Sequence, residues 1–415
     1  MAEVYVLGIG MIRFGKYLDA TVKGMGAQAV DLVLKDARLE KQSIEAAYVA
    51  NTFWGMYSDQ HSIRGEVLLY PLRIEGIPIV NTENACAGAS TGFHLAYTAI
   101  RAEMYDVALA LGVEKISHPD KMVSFKSYAT CLDVEGFAQH MEEILAMSKH
   151  IPMAEVPKEF QDPGGARSVF MDIYAAGARW HMGKYGSTQR QLAVISAKNH
   201  FHSSLNPLAQ IQKDMSVEQV LADKLVSWPL TRPMCAPVGD GAAAAILCSE
   251  KFLKKCSGAR PVRVRASVLG SGMHRGFDDG LDIGARLSRL AYEKSGIGPA
   301  DVHVAELHDA TAYGELHQSE VMGFCPEGQG GPLAESGATR LGGRLPINTS
   351  GGLESRGHPI GASGLAQIHE IVTQLRGEAG KRQVQGARIG LTENGGGNIG
   401  VEEASMTVHV LERAF

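Results

Sequence analysis

The sequence predicts an α/β protein whose sheet is covered by helices on both faces. Three observations carry that expectation. Short, continuously apolar runs such as VYVLGIG and DVALALGVEK alternate with helix-like runs, and a strand apolar on both sides needs cover on both. The alternation stops near Ser117 and restarts at PVRVRASVLGSGM, so two α/β stretches flank an insert. In each stretch a turn of small residues opens a helix: ENACAGASTG in the first, GLESRGHPIGASGLAQ in the second. That pattern suggests an internal duplication at the level of fold.

Taken in order, VYVLGIG reads as a strand and TVKGMGAQAVDLVLKDA as the helix after it. AAYVANTF and GIPIVNTENA are strands, STGFHLAYTAIRAEM is a helix, and DVALALGVEK returns to the sheet. The segment at about 117–237 is rich in Met, His, Pro and Gly around helical stretches such as RSVFMDIYAAGARWHMGKYG. It reads as a mostly helical insertion that re-enters the sheet at GAAAAILCSE, and long insertions commonly shape a binding site. PVRVRASVLGSGM, VHVAELHDA and ARIGLTEN are then strands, while LDIGARLSRLAYEKSG and ASGLAQIHEIVTQLRG are helices. The halves are placed at residues 1–255 and 256–415.

With 415 residues, 45% hydrophobic and 20% charged, the chain has an ordinary globular composition. A net charge of −5 gives no basis for expecting nucleic acid or an anionic membrane as partner. The six cysteines are scattered, with no CxxC pair and no histidine at zinc-finger spacing. Neither a disulfide framework nor a metal site is expected. The first residues read as a strand, not a signal peptide, and no apolar run approaches the roughly 18 residues of a membrane helix. A cytoplasmic location is expected.

Four stretches carry candidate chemistry. In ENACAGASTG, Cys86 stands at a strand-to-helix corner, where unpaired helix amides favour an anion and can lower a thiol pKa. In GGLESRGHPIGASG, His358 lies in a glycine-rich loop before a helix, with Pro359 fixing the chain direction. In VAELHDATAYGELHQSEVMGF, His308 and Asp309 end an apolar strand, where ligands of open α/β sheets bind. There His317 is expected to be structural, and Glu315 and Glu320 to face solvent. In IGLTENGGGNIGVEE a strand runs into three glycines, a loop able to offer amides to an oxyanion. The glycines of GIGMIRFG depart from dinucleotide-binding spacing. A thiol, two imidazoles and an amide loop at strand-end turns make a thioester-forming site the natural expectation.

Those motifs, with GMIRFGK, PLTRPMCAPVGDGAAAAIL, MGFCPEGQG and NTSGGLESRGHPIGASG, identify a family. The chain resembles the thiolase superfamily over essentially its whole length, especially the sterol-carrier-protein-type branch with its bacterial and archaeal relatives. The resemblance implies duplicated βαβαβαββ halves in a five-layered α-β-α-β-α core. It makes Cys86 the acyl-accepting nucleophile and His358 the group that activates it and helps to hold the thioester oxygen. It makes His308 the partner in that first oxyanion pocket, and gives the second oxyanion hole to the amides of Cys86 and Gly395. Asn394 beside Gly395, and Gly361 in the GHPIGASG loop, fall among the substrate-binding positions. Other thiolases carry a second cysteine in a CxG motif that moves the proton at the substrate α-carbon. Here Glu393-Asn394-Gly395 stands in its place with no cysteine nearby in sequence, so Glu393 or a histidine is expected to carry that proton.

By the same resemblance coenzyme A is a substrate, with no tightly bound cofactor. The chain is expected to form a homodimer and to associate with a small zinc-ribbon/OB-fold protein. An aromatic substrate such as benzoylsuccinyl-CoA is the specific expectation, with Phe53, Trp54, Tyr57 and Phe125 as possible lining. Two alternatives are a retro-aldolase acting on a steroid side-chain CoA ester and a non-catalytic scaffold subunit. The first needs no acyl-cysteine, so Cys86 argues against it, and the second has no need of Cys86, His308 and His358 together.

Overall fold

Nine strands form one sheet in the computed structural model, which describes residues 2–148, 154–160 and 167–415. They are β1 (Val4–Met11), β2 (Ala46–Ala50), β3 (Ile79–Thr82), β4 (Val107–Glu114), β5 (Gly241–Ser249), β6 (Val262–Ser271), β7 (Val304–Glu306), β8 (Ile389–Gly396) and β9 (Ser405–Arg413). The order across the sheet is β3-β2-β4-β5-β1-β6-β9-β8-β7. Outward from the centre, each half places its first strand, then its last, its penultimate and its second. A third strand, β3, completes the first half. In the second half a single parallel bridge from Ala305 to Ile347 occupies that place. The duplication hinted at by the two small-residue turns is therefore written in the strand order.

The half-sheets join through a short antiparallel pairing of β1 with β6, Tyr5 opposite Arg263 and Val6 opposite Val262. The main helices are α1 (Val22–Ala37), α2 (Gly88–Arg101), α3 (Lys121–Ala129), α4 (Val169–Tyr185), α5 (Gln189–Ser204), α6 (Ile283–Ser295), α7 (Ala312–Val321) and α8 (Ser363–Arg376). Helix α1 starts where the Thr21 hydroxyl accepts from the Gly24 amide. It lays Met25, Ala29 and Val33 on the outer face of the first half. Helix α6 does the same for the second half through Leu287 and Ala291. Between the halves lie α2 and α8, sharing one core through Phe93, Ile100, Leu365 and Ile368. The layers alternate helix and sheet as the resemblance implied, with the two half-sheets hydrogen-bonded at the seam.

The segment between β4 and β5 carries α3, α4, α5 and a small hairpin of Leu225–Ser227 with Leu230–Thr231. Helices α4 and α5 pack on α7 through Ala178, Leu192, Tyr313 and Leu316. That packing corrects the expectation for Glu315 and Glu320, which are both buried. Glu315 pairs with the Lys198 ammonium, and Glu320 with His181 at 3.1 Å. The insert covers the face of α7 that the isolated sequence leaves to solvent.

Candidate active site

The mirrored topology brings the two small-residue turns together. Cys86 sits on the tight turn Ala85–Ala87 that leads into α2, and His358 on the loop just before α8. Ala85 takes a left-handed conformation, φ 48°, a strained geometry for a residue with a side chain. The His358 Nε2 lies 3.3 Å from the Cys86 sulfur. The ring's Nδ1 is 2.7 Å from the Ser363 hydroxyl, which itself donates to the Pro359 carbonyl. That hydroxyl must therefore accept from Nδ1–H, leaving Nε2 unprotonated and facing the thiol. His358 is thus poised to receive the thiol proton.

His308 follows β7, its ring edge-on to that of His358 with centroids 5.3 Å apart. The Ser90 hydroxyl, 3.0 Å from the Ala87 carbonyl, lies 2.7 Å from Asn394 Oδ1, and the Asn394 amide nitrogen stands 2.9 Å from His308 Nδ1. With Asn394 in this orientation, His308 carries its proton on Nε2, as a donor. Asn394 thus acts by orienting a histidine. Asp309, the next residue, accepts from the Leu353 amide and Asn199, and so ties the HDA turn to the loop that bears His358.

Electrostatics set the resting state. Burial pushes the Cys86 thiol up to about 12 despite hydrogen bonds from the amides of Gly397 and of Cys86 itself. Burial pulls His308 down to about 3. It also holds His358 well below its usual range, with His308 and Arg356 reinforcing the effect. The sequence expectation of a lowered thiol pKa is corrected: burial outweighs the helix amides, and the pair rests as thiol and neutral imidazole.

Two further glycines are placed by the backbone around them. The amide facing the Cys86 sulfur is that of Gly397, whereas Gly395 lines the cavity. Strand β8 runs on to Gly396, paired with Ser405 of β9, and the chain turns only at Gly397, φ 65°. The Gly361 amide is held 3.2 Å from the Glu114 carboxylate, so it clamps the loop and does not face the cavity. Glu393 is fully buried, one oxygen accepting from the His308 backbone amide at 2.9 Å. Its other oxygen has no hydrogen-bond partner among the described residues. The carboxyl stands behind the cavity wall.

The cavity over the thiol measures about 760 Å³. Phe125, Tyr128, Phe170 and Tyr174 from the insert line it, and sequence reasoning found only the first of these. Phe53 instead packs beneath Cys86 with Ile116 and Ile360, Trp54 belongs to the outer core, and the Tyr57 hydroxyl accepts from Ser127. Cys131 lines the same cavity and its carbonyl accepts from the Asn398 amide. A second cysteine thus reaches the site from the insert, far away in sequence. Lys16, Lys121 and Lys213 stand at the cavity's exposed margin.

The Cys86 sulfur and the two histidines offer ligand atoms within 4.8 Å of one another. Three such donors can hold a soft divalent ion, and among the described residues this is the one group of its kind. The hydrogen bonds described above fix both rings for acid–base work on the sulfur.

The thiolase N-terminal domain model matches residues 4–251 and the thiolase C-terminal domain-like model residues 282–413. The chain belongs to the thiolase family. It is similar to the acetyl-CoA acetyltransferase of Methanothermobacter thermautotrophicus, 35% identical over 417 residues and the full length of both chains. It is similar to bovine sterol carrier protein 2, 36% identical over 94% of this chain and 70% of that protein. It is also similar to the benzoylsuccinyl-CoA thiolase subunit BbsB of Thauera aromatica, 33% identical over 95% of each chain. Among solved structures, the Ltp2-ChsH2(DUF35) aldolase superposes with a TM-score of 0.77 at 20% identity, covering 99% of this chain and 98% of that one. Human mitochondrial 3-ketoacyl-CoA thiolase in complex with CoA gives 0.66 at 15% identity, covering 100% and 98%. The enzyme is accordingly a CoA acyltransferase of thiolase type.

Proposed function

We propose that this thiolase cleaves or forms a β-ketoacyl-CoA through an acyl group carried on Cys86, with free CoA as acceptor. The observation that carries the reading is the 3.3 Å approach of an unprotonated His358 nitrogen to the Cys86 sulfur. In the cleaving direction the thiol proton passes to His358 as the sulfur attacks the ketone carbon. The oxyanion formed is met by the amides of Cys86 and Gly397. Breaking the carbon–carbon bond leaves an acyl-CoA enolate, whose oxygen takes the His308 Nε2–H and the His358 ring. CoA then removes the acyl group. Splitting the exchange into two acyl transfers is what the nucleophile provides.

The acyl group is proposed to be bulky, with an aromatic β-ketoacyl-CoA of the benzoylsuccinyl type as the specific candidate. Four rings over the thiol support this, since they match an aromatic acyl group better than an acetyl group. The lysines at the mouth suit the CoA phosphates. We further propose a homodimer through β3, whose outer edge is unpaired and whose Val80 and Asn81 are exposed. A small zinc-ribbon/OB-fold partner is proposed as well, on the ground that a structural neighbour is named for two proteins. No helix among the described residues is long and apolar enough to cross a membrane; the location proposed is cytoplasmic.

The test is incubation with aliphatic and aromatic β-ketoacyl-CoAs plus CoA, with product masses and the mass of the Cys86 peptide both read. An acylated Cys86 and two acyl-CoA products are expected. Carbon–carbon cleavage without acylation would favour the retro-aldolase reading. Absence of turnover with and without a co-purified partner would favour a scaffold.

A further inference from the structure

We propose that Glu403 is the carboxyl that carries the proton to and from the substrate's α-carbon, the task a second cysteine performs in other thiolases. The inference rests on the thiolase reading above. Three observations point to it. First, Glu403 stands in the wall between the cavity of Cys86, His308, His358 and Gly395 and an adjoining one lined by Gln318 and His317, whereas Glu393 lines neither. Second, its stem lies directly over the glycine of the ENG segment: a Cβ on Gly395 would stand 2.7 Å from Glu403 Cγ and 3.4 Å from its Oε1. The carboxyl therefore reaches the wall where the missing cysteine's motif ends. Third, it is held but left available. Oε1 accepts from Gln318 at 3.2 Å, and no ion pair with Lys or Arg engages it among the described residues. Its neighbour Glu402 contrasts with it, accepting from the Met273 and Ile283 amides and pairing with Arg286. Glu402 is locked by those partners; Glu403 stands in the cavity wall with one bond, to Gln318.

The surroundings keep a proton on this carboxyl near neutrality. Burial, with the nearby Asp282 carboxylate, raises Glu403 to about 7 against the pull of His317. Burial raises Glu393 too, and Glu403 adds to that rise, so the two carboxyls resist ionising together. Glu393, bonded to the His308 amide, then acts as a positioning residue behind the reacting group.

The protons balance. Sulfur attack puts the Cys86 proton on His358. Carbon–carbon cleavage sends the bonding pair to the enolate, whose carbon takes the proton of the Glu403 carboxylic acid. The incoming CoA thiol returns a proton to the Glu403 carboxylate as its sulfur attacks the acyl group. Cys86 departs with the proton held by His358. Exchange of CoA between acyl-CoA and free CoA needs only the Cys86–His358 pair.

That difference supplies the experiment. Deuterium uptake at the α-carbon of acetyl-CoA and of succinyl-CoA in D2O reads the carbon proton. Incorporation of isotope-labelled CoA into acetyl-CoA and benzoyl-CoA reads acyl transfer. Glu403→Gln, which keeps the bond to Gln318, should lower deuterium uptake about 100-fold or more while label incorporation stays within about fivefold. Glu403→Asp, which keeps the acid on a shorter stem, should fall between, and it replaces the first variant if that one does not fold. Equal losses in the two reactions, or undiminished deuterium uptake, would overturn the assignment. A selective loss in Glu393→Gln with none in Glu403→Gln would return the role to Glu393. Absence of label incorporation in the unsubstituted protein would strike the thiolase reading instead.

Discussion

At the scale of single residues, the site is a neutral thiol facing a neutral imidazole, each fixed by its neighbours. Cys86→Ala should abolish cleavage of any β-ketoacyl-CoA, a loss of at least about a thousandfold in kcat, read by product formation. The pH behaviour follows from the shifts. His358 sits well below the ordinary histidine range and the Cys86 thiol at about 12, so neither group ionises between pH 6 and 9. Iodoacetamide should therefore alkylate Cys86 more slowly than a free thiol at pH 8, rising only toward high pH, with the modified peptide followed by mass. An alkylation rate that levelled off below pH 7 would mean a preformed thiolate–imidazolium pair. The identities of Cys86, His308 and His358 were legible because each motif is local and chemically unusual. Ser90, Ser363 and Asn394 were harder to assign. Their work is to fix tautomers, and that depends on partners brought together across the seam of the two halves.

At the scale of elements, two contacts hold the turns in register, and neither is visible in a linear chain. The end of β8 presses on the Cys86 turn: a Cβ on Gly396 would stand 2.2 Å from the Asn84 oxygen and 2.5 Å from the Ala87 nitrogen. Gly396→Ala must push that turn away from His358. It should lower kcat about 100-fold, since misplacing a reacting group by an ångström costs that much, with folding checked by circular dichroism. The second contact is Glu114 at the end of β4. It accepts from the amides of Thr52, Phe53 and Gly361 and from the Asn51 side chain. Glu114→Ala leaves those buried donors unpaired and should cost ~3–5 kcal/mol in denaturant unfolding, whereas Glu114→Gln keeps an acceptor for one pair of donors and should cost less than Ala. The alternation of strands and helices was readable from hydrophobic pattern alone. The insert's contribution was not: Tyr128, Cys131 and Tyr174 reach the thiol only because α3 and α4 fold back over it. Glu315 and Glu320 are buried for the same reason.

At the scale of the whole molecule, an unusual number of titratable groups lie buried within and around the seam, and together they set the acid and alkaline limits of stability. Burial lowers His94 and His369 to about 4, and His202, His308 and His409 to about 3. The unfolded chain binds protons at these positions below about 6.5 while the native state does not, so stability falls as pH drops from there toward 3. Burial raises Glu114, Glu306 and Glu403 to about 7 and Glu354 to about 8. These carboxyls hold protons in the native state that the unfolded chain releases near 4.5, so their contribution to stability is lost progressively from about pH 4.5 until pH passes 7 and 8. His317 is pulled down by burial yet lifted to about 9 by its bond to Asp282, and its contribution is also lost as pH rises through 9. The two slopes oppose one another and cross between about pH 6 and 7, where the thermal unfolding midpoint should peak. Midpoints measured from pH 4 to 9 should fall on both sides of that window, and a monotonic rise to pH 9 would show that these carboxyls do not hold their protons in the native state. The double substitution Glu114→Gln with Glu354→Gln removes two of the groups responsible for the alkaline slope. It should lessen the fall toward pH 8 and steepen the rise between about pH 5 and 6, where these carboxyls oppose the histidines, and leave the limb below about pH 4 to the histidines.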